Sequence, residues 1–130
     1  NYSWNELVKT DEDDPIIPAF NTPKHKYNLS ISARDLKLDG DMTWGFSANY
    51  KWVEGFIFEG SPQFTGAVPT FNLLDAQVNA VIPSLNTTIK IGGSNVLNNL
   101  HIEAYGGPYV GRMLYASLIY DFNPKAPNKR

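Results

Sequence analysis

The sequence predicts an all-β chain, an antiparallel up-and-down meander of the transmembrane β-barrel kind. Three observations predict it. Apolar and polar residues alternate at period 2 through successive stretches of about ten residues, the mark of strands with two unlike environments on their faces. The connections between these stretches run long, short, long, short, long, as in a wall with tight turns on one side and extended loops on the other. Aromatics gather towards the ends of the alternating faces, where a lipid-facing wall crosses the headgroup zones. In a soluble sandwich the same face would be the interior, and the rings would crowd it.

Residues 1–24 begin with Tyr2 and Trp4, the end of a preceding strand, and run into VKTDEDDPIIPAFNTPKH. The acids from Asp11 to Asp14, followed by Pro15, Pro18 and Pro23, forbid regular structure, so a long exposed loop is expected. From Tyr27 the alternation starts. Tyr27, Leu29, Ile31 and Ala33 point one way, and Asn28, Ser30, Ser32 and Arg34 the other. Asp39-Gly40-Asp41 reads as a tight turn.

The second strand sets Trp44, Phe46, Ala48, Tyr50 and Trp52 against Thr43, Gly45, Ser47, Asn49 and Lys51. On a helix those apolar residues would spread around the cylinder, which excludes one here. Phe56 and Phe58 are expected to continue the same face before Gly60-Ser61-Pro62 opens a loop reaching Thr70.

The third strand carries Leu74, Ala76, Val78, Ala80 and Ile82 against Asp75, Gln77 and Asn79, and Pro83 to Asn86 form a short turn. The fourth is expected from Thr87 to Leu97, with Ile89 and Ile91 on one face and Thr88, Lys90 and Ser94 on the other. Gly92-Gly93 inside it points to a bulge or to close approach of another backbone. A loop from Asn98 to Val110 leads to the last strand, Arg112 to Phe122. There Leu114, Ala116, Leu118, Tyr120 and Phe122 face away from Met113, Tyr115, Ser117, Ile119 and Asp121. A polar tail, 123–130, carries no strand pattern.

Composition narrows the function classes. A formal net charge of −2 over 130 residues favours no nucleic-acid partner. The absence of cysteine excludes disulfides and thiolate metal sites. No run approaches the ~18 apolar residues of a membrane helix, a test that is blind to membrane strands. The chain starts at Asn1 without Met or a leader, which reads as a fragment or a processed piece.

Five segments together resemble a known family. FNTPKHKYNLSIS, WGFSANYKW, FNLLDAQVNAVIP, IKIGGSNVLNN and AYGGPYVGRMLYASLIYDF are similar to the C-terminal end of TonB-dependent outer-membrane receptors. The nearest type is the large importers with a carboxypeptidase-regulatory-like extension, related to starch-utilisation receptors. The resemblance runs from about Phe20 to Phe122. It implies that 25–122 supply the last five strands of a barrel of about 22, built around a plug in the outer membrane of a Gram-negative bacterium. Residues 1–24, 54–70 and 98–110 would then be extracellular, the two short turns periplasmic, and 123–130 a periplasmic tail. The implied partners are the rest of the barrel and its plug, TonB through an N-terminal part, a surface lipoprotein lid and membrane lipid. The implied task is active solute uptake, with no catalysis and no cofactor.

Within that frame Asn49, Lys51, Asp75, Gln77 and Lys90 are the candidate lumen- or plug-facing residues. Trp44, Trp52, Phe56, Tyr120 and Phe122 are the candidate lipid-interface aromatics. A barrel interior is polar in any case, so the first set reads as hydrogen-bonding partners of the plug and of each other before it reads as a substrate path. His25 and His101 fall in two loops without a carboxylate partner and read as solvated residues, not as a metal site. Asp11 to Asp14 lack the spacing that wraps calcium and read as a solvated charge run. No nucleophile–base, paired-carboxylate or phosphate-cradling pattern stands out. Two rival readings stay open: a structural barrel subunit without import, and a soluble β-sandwich binding module.

Overall fold

The computed structural model describes residues 1–6 and 21–122. The acidic run Asp11–Asp14, with Pro15 and Pro18, and the tail 123–130 lie outside the described residues. The strands are β1 (Tyr2–Trp4), β2 (His25–Asp39), β3 (Met42–Val53), β4 (Phe56–Phe58), β5 (Gly66–Val68), β6 (Phe71–Ile82), β7 (Thr87–Ser94) and β8 (Met113–Tyr120). Six of them form one antiparallel sheet in the order β1-β2-β3-β6-β7-β8. The other two, β4 and β5, pair as a separate hairpin. With that hairpin set aside, every strand neighbours its predecessor. The sheet is a meander, and among the described residues it is not closed.

The register settles which side chains share a face, because directly opposed residues lie on the same side. Trp44, Phe46, Ala48 and Tyr50 of β3 oppose Ala80, Val78, Ala76 and Leu74 of β6. On the other flank of β3, Trp52, Tyr50, Ala48 and Phe46 oppose Tyr27, Leu29, Ile31 and Ala33 of β2. Ile89 and Ile91 of β7 continue the row to Leu118 and Ala116 of β8. One face is thus apolar across the whole sheet, and the alternation seen in the sequence is the alternation of the faces.

Nothing described covers that face. The only buried apolar side chains among the described residues are Val53, Val68 and Ala80. Leu29, Ile31, Leu114 and Leu118 are all more than 60 % exposed. This is a single layer, not two sheets enclosing a core.

Several expectations need correction. Phe56 and Phe58 do not continue the face of β3: the chain leaves the sheet at Glu54-Gly55 and pairs Phe56 with Val68 and Phe58 with Gly66. The connection to β6 is therefore a hairpin with a 3₁₀ turn at Pro62–Phe64, not a plain loop. Strand β7 stops at Ser94, short of Leu97, because Asn95 turns the chain with φ 49.

No bulge occurs at Gly92-Gly93, since pairing with both neighbours runs through them without a shift. The other expectation, close approach of another backbone, holds: a Cβ on Gly92 would lie 3.0 Å from the Ala76 carbonyl and one on Gly93 2.8 Å from the Met113 carbonyl, with side chains closer still. The Tyr115 hydroxyl would be 2.5 Å from the first and Leu114 Cδ2 2.6 Å from the second. The register shifts are in β2 instead, one between Ala33 and Leu36 and a second between Lys37 and Asp39. Between the pairs Ala33–Phe46 and Leu36–Trp44 that strand holds one residue too many, with Asp35 at φ 57. The extra residue restores Leu36 to the apolar face beside Trp44.

Candidate functional site

The polar face is built by the same register. Asn49 of β3 opposes Ser30 on one side and Asp75 on the other. Ser47 opposes Gln77, and Asn79 opposes Lys90. All five candidate lumen-facing residues therefore share one side of the sheet.

They are not one cluster. Asn49, Asp75 and Gln77 meet in a shallow depression of about 410 Å³, with Ser30, Ser47 and Tyr115 on its walls. Lys90 lines a neighbouring hollow of about 340 Å³ with Arg34, Asn79 and Thr88. Lys51 stands apart, its Nζ 6.0 Å from the centre of the Phe71 ring.

Most of the central polar groups hold one another. Ser30 Oγ donates to Asn49 Oδ1 at 2.7 Å, and the Asn95 backbone N–H donates to Asp75 Oδ1 at 2.9 Å. Tyr115 donates its hydroxyl proton to Gln77 Oε1 at 2.7 Å, reaching from β8 across β7 to β6. Tyr115 was legible as a polar-side residue but not as a partner of Gln77. Its signal is the glycine opposite, Gly92, which leaves the ring room to lean over. The depression is neutral amides and hydroxyls around a single carboxylate, chemistry for hydrogen bonding rather than for bond making.

At the end of the sheet away from the tight turns, the β7–β8 connection bonds back onto β6. Asn95, 3 % exposed, donates from Nδ2 to the Asn99 carbonyl, and the Asn99 N–H donates to Asn95 Oδ1, both at 2.9 Å. Asn99 Nδ2 in turn donates to the Asn72 carbonyl at 3.0 Å and to its Oδ1 at 2.6 Å. Tyr105 lies against Gly66 of β5, and Phe64 against Gly106, so the hairpin and the connection pack together.

His101 was expected to be solvated and is not. It is 5 % exposed, stacks on Phe71 with ring centres 4.5 Å apart, and is bridged through its backbone to Val110. His25 is the first residue of β2 rather than a loop residue, with its Nδ1 2.7 Å from the Tyr2 hydroxyl. No contact joins the two histidines among the described residues.

The candidate interface aromatics fall at both ends of the apolar face, with one exception. Trp44 and Tyr120 lie beside the tight turns, and Phe122 meets Tyr120 edge-on at 4.8 Å. Trp52 lies at the opposite end, stacked on Tyr27 at 5.3 Å. Phe56 belongs to the hairpin outside the main sheet.

No family model matches the chain, and neither does any curated protein or solved structure.

Proposed function

We propose that this chain is the C-terminal part of the wall and extracellular mouth of a TonB-dependent outer-membrane receptor, serving active solute uptake and catalysing nothing. One observation carries the reading. A one-layer sheet presents an uncovered apolar face, aliphatic in its middle and edged by aromatics at both ends, with a polar face behind it. Water would penalise such a face heavily, while lipid would not.

The dimensions agree. Trp44 and Trp52 are eight residues apart, about 26 Å along the strand and about 20 Å in height at a barrel tilt of about 40°. That is close to the ~25 Å apolar band of an outer-membrane barrel. The open edges, β8 and the part of β2 beyond the short β1, agree too. In lipid each unpaired backbone group costs several kcal/mol, so the sheet requires further strands to close it. The resemblance supplies them: the remaining strands, a plug, and TonB acting through it.

The sandwich reading is disfavoured by the same layer, for no second sheet lies against the apolar face among the described residues. A barrel subunit without import keeps the architecture and changes the task.

The deciding experiment is fractionation followed by uptake. The chain should stay with the outer membrane through an alkaline wash and come off only in detergent. Release by the wash would sink the wall. Retention in cells whose solute uptake is unaffected by loss of this protein would favour the scaffold.

A further inference from the structure

Two buried side-chain polar atoms among the described residues lack a hydrogen-bond partner, Ser3 Oγ and His101 Nε2. On His101, Nδ1 lies 3.2 Å from the Asn99 carbonyl oxygen, which can only accept, so Nδ1 carries the ring proton of the neutral imidazole. That leaves Nε2 with a lone pair. It has no solvent-accessible surface and no hydrogen-bond partner. Facing it at 4.0 Å is Oε1 of Glu103, another acceptor. Two acceptors thus oppose each other across a gap that contains no donor, an arrangement that costs free energy while both stay as they are.

We infer that His101 and Glu103 form a proton-operated latch on the connection between β7 and β8. Protonation of Nε2 supplies the missing donor. The imidazolium N–H then points at a carboxylate that is 67 % exposed and free to close about 1 Å, giving a charge-assisted hydrogen bond. A metal ion is a poorer occupant, because no third His, Cys, Asp or Glu converges on the gap among the described residues.

The Phe71 ring stacks on the imidazole with ring centres 4.5 Å apart. From β3, Lys51 lies 6.0 Å from the same ring. From β6, Asp75 is engaged by the Asn95 amide. Glu103 is the carboxylate nearest the nitrogen, at 4.0 Å. The partner is gained on protonation, so acidification engages the latch and its reversal releases it.

What the latch holds is the connection 95–112 against the start of β6. His101 sits in that connection, bonded to Val110 by N–H to carbonyl contacts of 3.3 Å and 2.8 Å. On the wall reading this is a loop of the mouth, but the inference rests on local geometry alone.

The test is amide hydrogen exchange on the intact protein as isolated, at pH 5.5 and pH 8, corrected for intrinsic exchange. Protection at His101 and Val110 should rise by about tenfold or more on acidification, the effect of one charge-assisted hydrogen bond. Glu103→Ala should abolish the rise. Glu103→Gln should give high protection at both values, because its amide can donate to the neutral nitrogen. Glu103 is exposed, so both variants should fold. No rise in the unaltered protein, or the same rise in all three, overturns the latch. Extraction by an alkaline wash would overturn the wall and leave this result standing.

Discussion

The hydroxyl of Tyr115 donates to Gln77 Oε1 at 2.7 Å, two strands away, because Gly92 on the strand between them has no side chain to block the ring. A Cβ at Gly92 would come within 2.5 Å of that hydroxyl and 3.0 Å of the Ala76 carbonyl. Gly92→Ala should therefore displace Tyr115 and cost about 1–3 kcal/mol, as overpacking does. Tyr115→Phe keeps the ring and loses only the hydrogen bond, about 0.5–1.5 kcal/mol. Denaturant unfolding of both variants measures the difference. If Gly92→Ala is the milder of the two, the glycine is not there to admit the ring.

The apolar face offers a sharper contrast between neighbours. Ala48 lies mid-strand between Ile31 and Ala76, and Asn49, the next residue, lies between Ser30 and Asp75 on the other side. In a membrane wall Ala48→Arg should cost about 2–4 kcal/mol near the midplane. Asn49→Arg loses the Ser30 contact but keeps its charge among polar groups, and should cost less. Equal tolerance of the two in a refolding assay would count against lipid on the Ala48 side.

The long strands were legible because each alternates over enough residues to fix both its type and its faces. Trp44 to Trp52 is the plainest case, and the observed register puts each residue on its expected side. The hairpin of β4 and β5 was not legible, since three-residue strands are too short to show a period. The bulge at Asp35 was missed for a related reason. Arg34, Asp35 and Leu36 carry no glycine or asparagine to announce a left-handed residue.

The candidate site divides along the same line. Its face followed from parity alone. Its partners did not, because Asn72 with Asn99 and Gln77 with Tyr115 join residues 27 and 38 apart in sequence. His101 misled for want of any local sign that Phe71 would cover it.

Topology can be read with thiols, since these 130 residues contain no cysteine. Ser61 lies in the hairpin connection and Asp41 in the tight turn after β2, at opposite ends of β3. A membrane-impermeant maleimide added to whole cells should label Ser61→Cys and spare Asp41→Cys. After the outer membrane is permeabilised, both should react. Labelling of Asp41→Cys alone in intact cells would invert the wall.

The closing strand carries the last prediction. Strand β8 is exposed along its whole length, and only its β7 side is paired among the described residues. Tyr120 opposes Thr87 beside the Pro83–Leu85 turn, and Phe122 packs edge-on against Tyr120 at 78°. On the wall reading the aromatic pair anchors this end of the strand at the interface while its free edge finds a partner strand. Phe122→Ser removes the outer ring of the pair and should lower the amount of assembled protein in the outer membrane. Removal of 123–130 should leave it nearly unchanged, because the alternation stops at Phe122. A cysteine at Ser117, on the polar side of β8, should cross-link to a neighbouring strand of the assembled protein. An edge that stays free of any strand while the protein is membrane-inserted would contradict closure, since lipid cannot satisfy the bare N–H and C=O groups of β8.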